Sequence, residues 1–141
     1  MGLYNFKPQF VPFILSGEKR HTIRATRKNP DEPGDTMHLY TGLRQKGATL
    51  LMRAPCVKVE AIKIGTYWVH PGKGNHRQQQ IWVNGIRLSP DERETLARRD
   101  GFESFAAMMQ FWTGRLPFEG NIFHWNPGLP VQSKRNKELT K

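Results

Sequence analysis

With 141 residues and 37% hydrophobic content, including 8 Phe and 4 Trp, the chain can build one domain around its own core, which excludes disorder throughout. The lone cysteine, Cys56, excludes an internal disulfide, and no apolar run reaches the roughly 18 residues of a membrane helix. Against 12 Asp and Glu stand 22 Lys and Arg, a formal charge of +10 that favours polyanionic partners, nucleic acid first.

In chain order, Phe6, Phe10, Phe13 and Ile14 recur at near-helical spacing, and Gly17 suits a left-handed exit, so Pro8–Ser16 is expected to be a short helix. The next segment, GEKRHTIRATRK, is read as a loop holding Lys19, Arg20, Arg24, Arg27 and Lys28 against one acid, Glu18. So many cations in a dozen positions repel one another unless an anion answers them. Turn residues continue through Pro33-Gly34-Asp35. Met37–Thr41 reads as a strand, and Leu50–Ile64 as one long or two broken strands, with Pro55 marking an edge or bulge. Gly65–Gln80 is expected to be a polar, aromatic loop, and Ile81–Leu88 a strand carrying the Asn84-Gly85 turn signal.

Then the period changes. Ser89-Pro90-Asp91-Glu92 is a capping box that opens a helix through about Arg99, closed by Asp100-Gly101. A second helix, from about Glu103 to Gly114, carries a core stripe of Phe105, Met108, Met109 and Trp112. Its surface offers Ala106, Ala107 and one amide, Gln110, too little for a DNA-reading helix-turn-helix. Phe118–Trp125 closes the chain as a strand. These elements predict an α+β protein around a small curved sheet or barrel, with residues 127–141 a basic, flexible tail.

The apolar helix ending in G-x-K-x-x-T-I-R, then P-G-D and a strand, resembles the ASCH domain family of the PUA-like superfamily. The resemblance extends over MHLYTG, the Cys56–Ile64 strand, the helix into Asp100-Gly101-Phe102 and the last strand, about residues 4–125. It implies one PUA-like domain over residues 1–126: a β-barrel of about five to six strands, an N-terminal helix and an inserted helix pair. One branch of that family removes the acyl group from N(4)-acetylcytidine with a lysine, a threonine and a glutamate. The lysine and threonine fall on Lys19 and Thr22. The acid falls on Asp100, with Glu103 as its rival, and an aspartate is one methylene shorter than the family's residue. Other members are credited with binding or cleaving RNA.

Chemistry supports the same trio. Amide hydrolysis needs a nucleophile, a base to activate it and an acid for the leaving amine. Thr22 supplies a hydroxyl or orients a water. A lysine serves as base when burial and nearby cations lower its pKa from about 10.4 toward 7–8. Lys19 and Thr22 are therefore expected to share a concave pocket rimmed by cations. Arg20, Arg24, Arg27 and Arg44 are expected to contact substrate or RNA. Tyr40, Tyr67, Trp68 and Trp82 are candidates to stack on an unpaired base, with the interior favoured for Trp82. Trp82, Trp112 and Trp125 are assigned to the interior.

The five histidines and Cys56 have no metal-ligand spacing, so neither a metal nor another cofactor is expected. The expected partner is RNA or a modified nucleoside. A start without a charged-then-apolar leader predicts a cytoplasmic protein with no membrane association. Three readings remain open: an amidohydrolase on acylated pyrimidine nucleosides, an RNA-binding module without catalysis, and a single-strand ribonuclease using Lys19 and Tyr40.

Overall fold

The computed structural model describes residues 2–43, 46–69 and 76–129. Its strands are β1 (Gly2–Phe6), β2 (His21–Ala25), β3 (Thr36–Thr41), β4 (Thr49–Val69), β5 (His76–Val83), β6 (Ile86–Arg87) and β7 (Phe118–Trp125). Its α-helices are α1 (Val11–Ser16), preceded by a 3-10 turn over Pro8–Phe10, then α2 (Pro90–Arg99) and α3 (Phe105–Trp112). The fold is α+β, with a mixed seven-stranded sheet in the order β1-β3-β4-β5-β6, while β7 pairs with β2 and β4. Among the described residues this path does not close on itself, and its strands outnumber the five to six expected.

Contacts divide the chain into two compact units, and β2, β4 and β7 run from one into the other. The first comprises Met1–Thr22, Lys28–Val59 and Phe123–Lys141. Here β1 lies parallel to β3, from Gly2 opposite Met37 to Phe6 opposite Thr41. Antiparallel to β3 runs the first part of β4, with the register shift at Leu39/Tyr40 rather than at Pro55. Tyr4, Phe6, Phe10, Ile14, Met37, Leu39, Phe123 and Trp125 are buried. The Tyr4–Phe123 ring centroids are 5.6 Å apart and those of Phe6–Trp125 6.0 Å. Burying side chains of this size contributes about 1.5–3 kcal/mol each.

The second unit comprises Ile23–Arg27 and Glu60–Ile122. Its core gathers Ile23, Ile62, Ile64, Ile81, Ala97, Met108, Met109, Trp112 and Ile122, so the α3 stripe is packed as its 3.6-residue period requires, with Phe105 partly buried against it. The capping box of α2 is present: Ser89 Oγ accepts from the Glu92 amide, and the Ser89 amide donates to Glu92 Oε1 at 2.7 Å.

Four further expectations are corrected. Gly65–Gln80 is not one loop, because Gly65–Val69 and His76–Gln80 pair antiparallel as the upper arms of a hairpin. Strand pairing is made by the backbone, so a polar HRQQQ arm is tolerated opposite β-favouring Thr66, Tyr67, Trp68 and Val69. The cationic segment is a loop only up to Arg20, since His21–Ala25 is strand. The second helix runs over Phe105–Trp112, shorter than 103–114. Finally, Trp82 is half-buried and lines a groove with Ala61, Ile62, Lys63 and Gly85, rather than filling the interior. Its neighbours on either side, Ile81 and Val83, are the β5 residues packed with the helix core.

Candidate functional site

In the first unit, α1 ends at Gly17, whose φ of 87° is the left-handed conformation a Cβ disfavours. The chain then folds back, and the Lys19 amide donates to the Phe13 carbonyl at 2.9 Å. This tight exit directs Lys19 inward: it is 3% exposed, with Nζ 5.1 Å from the Phe10 ring centroid and 5.9 Å from that of Phe6. Cation–π contact is the attraction such rings offer to an ammonium group. Thr22, three residues on and in β2, is 4% exposed. Between them Arg20 is exposed, and its Nε donates back to the Gly17 carbonyl at 2.8 Å. Of the cations in this run, Lys19 is thus a buried amine and Arg20 a surface guanidinium that braces the turn.

Beside them, His21 is buried, and its ring centroid lies 5.4 Å from that of His124 on β7. Sequence reasoning passed over this pair, whose one signal is that β2 and β7 must pair to align them: the Trp125 amide donates to the Arg20 carbonyl at 2.9 Å. Asp31 was missed as well. It is 3% exposed and accepts the Tyr4 hydroxyl at 2.7 Å. Tyr40 is half-buried on β3.

In the second unit, Asp100 caps the C-terminus of α2 and is buried, whereas Glu103 is exposed. Arg24 and Arg27 are half-buried. Arg93 is buried too, its guanidinium 4.6 Å from the Phe105 centroid and donating to the Gln79 carbonyl. Arg44 lies outside the described residues. Tyr67 and Trp68 are placed on β4 by their backbone alone.

Two groups of the first unit have shifted acidities. Burial pushes the Cys56 thiol up to about 11. Burial, and then the Arg53 guanidinium whose Nε donates to Nδ1 at 3.2 Å, lower the pKa of His38. Among the described residues no three His, Cys, Asp or Glu side chains gather as metal ligands, and no helix is long and apolar enough to cross a membrane. Comparison with protein-family models, with curated proteins and with solved structures returns no match.

Proposed function

We propose that the chain is an ASCH-type RNA- or nucleoside-binding domain that hydrolyses N(4)-acylated cytidine or a related modified nucleobase. The observation that carries this reading is the burial of Lys19 and Thr22, at 3% and 4% exposure, around a turn held by Gly17. Surface lysines that only neutralise phosphate stay in water, whereas Lys19 is withdrawn from it against two aromatic rings. In the reaction water adds to the acyl carbonyl and the bond to the exocyclic nitrogen breaks. That nitrogen takes up a proton, leaving cytidine and a carboxylic acid. Lys19 is the base, and Thr22 the hydroxyl that attacks or holds the water. The acid is the one the resemblance places on Asp100, with Glu103 as its rival.

Incubating the protein with N(4)-acetylcytidine tests the reading. Wild type should release cytidine, while Lys19→Met, folded by circular dichroism, should lose turnover by roughly a hundred-fold or more. Asp100→Asn should fall as far and Glu103→Gln should not. Full turnover by folded Lys19→Met ends the proposal. A second reading, an RNA-binding module without catalysis, is favoured by the charge of +10, which a small neutral nucleoside does not require.

A further inference from the structure

In the second unit, Lys63 on β4 stands directly opposite Trp82 on β5, and Trp82 stands opposite Arg87 on β6. Directly opposed residues share a face, so the three form one row across three antiparallel strands. The alternate row, Ile62 with Val83 and Ile64 with Ile81, is packed on the helices, so the Lys63–Trp82–Arg87 row faces the other way. Lys63 and Arg87 are exposed and Trp82 is half-buried. Beside the ring, Ala61, Ile62, Lys63, Trp82 and Gly85 line an open groove of about 380 Å³. Its end is stiff: the Asn84 amide donates to the Ala61 carbonyl, and the Ala61 amide donates to Asn84 Oδ1, both at 2.9 Å.

We propose that this row is a binding platform for single-stranded nucleic acid, with a base stacked on Trp82 and phosphates held by Lys63 and Arg87. Three features choose that occupant. An indole ring offers a π-face to any base, and strands about 4.8 Å apart set a cation on each side of it. The sequence has no acidic residue between Glu60 and Asp91, so the hairpin itself adds no repulsion toward phosphate. Glu119 on β7 sits 3.4 Å from Lys63, with both side chains well exposed. An exposed pair of this kind is weak, and a phosphate can displace it. The platform is independent of the chemistry assigned to Lys19 and Thr22.

Binding of short fluorescein-labelled oligouridylate and oligodeoxythymidylate to the full chain, followed by anisotropy, is the test. Both probes should bind, because stacking and phosphate contact do not read the sugar. Trp82→Ala should weaken binding about ten-fold or more, and Trp82→Phe, which keeps a ring, should weaken it less. Arg87→Gln should lower affinity and reduce the salt slope by about one phosphate contact. Glu119→Gln, which frees Lys63, should tighten binding, a gain that damage to the fold does not produce. Turnover of free N(4)-acetylcytidine by Trp82→Ala should equal that of wild type, which separates the platform from the hydrolytic reading. Wild-type affinity in folded Trp82→Ala overturns the proposal, as does an unchanged affinity in Glu119→Gln together with Trp82→Phe. Self-association lost in Trp82→Ala, with nucleic-acid affinity unchanged, gives the face to a second copy of the chain and overturns it equally.

Discussion

Tyr4 and Asp31 lie 27 positions apart in sequence and are joined inside the first unit by a hydrogen bond of 2.7 Å. Removing the donor leaves a buried carboxyl group short of a partner, so Tyr4→Phe should cost about 1–3 kcal/mol in urea unfolding without altering the circular dichroism of the native state. His38 gives a pH signature. Burial and the Arg53 guanidinium hold its folded pKa below the ordinary imidazole value of about 6.5, so the unfolded chain binds more protons as pH falls. The contribution is therefore present above about pH 6.5 and is lost as pH drops through the folded pKa. His38→Gln should flatten the fall in urea midpoint over that window. Cys56, pushed up to about 11 by burial, is almost wholly thiol at neutral pH, so iodoacetamide should label it slowly until denaturant is added. At this scale the sequence was partly legible. The motif singled out Lys19 and Thr22 and both are buried, but it did not reveal that Gly17 turns Lys19 inward against Phe6 and Phe10. Asp31 was hidden because it lies among Pro30, Glu32 and Pro33, where an acid reads as ordinary turn chemistry.

Elements whose signals are local were readable in advance. The capping box and Pro90 marked the start of α2, and Asn84-Gly85 marked the turn, where φ is 51° and 82°. The strand Phe118–Trp125 has its expected bounds. What failed were strands whose sequence shows no clean alternation of apolar and polar residues. In β1 the buried positions are Gly2, Tyr4 and Phe6 while Leu3 is 50% exposed, which scrambles the alternation. In β2 the adjacent residues His21, Thr22 and Ile23 are all buried, so no period of two exists to be found. Two substitutions test the elements. Ser89→Ala removes the side-chain acceptor of the α2 cap and should cost about 1 kcal/mol of stability. Gly120 on β7 is required for another reason: a Cβ there would collide with the Arg24 carbonyl oxygen of β2. Gly120→Ala should cost about 3 kcal/mol in urea unfolding and speed amide exchange along β2, whereas a substitution at the open Gly85 should leave β2 exchange unchanged.

For the molecule as a whole, charge is the property that composition alone foretold, and it also separates the functional readings. A net +10 repels itself in the folded chain and attracts a polyanion, and ions screen both effects. If phosphate neutralisation drives binding, log affinity for single-stranded RNA should fall linearly with log salt, by about 0.7 per phosphate contacted. Under the hydrolytic proposal, turnover of free N(4)-acetylcytidine, a neutral substrate, should be nearly flat over the same range. The segment 130–141 holds Lys134, Arg135, Lys137 and Lys141 against one acid, Glu138, so its removal should shallow the RNA salt slope and leave nucleoside turnover unchanged. Parallel salt titrations of the full and shortened chains measure both quantities. A turnover that falls with salt as steeply as RNA affinity would mean that the hydrolysed group arrives on a polynucleotide held by the same cations.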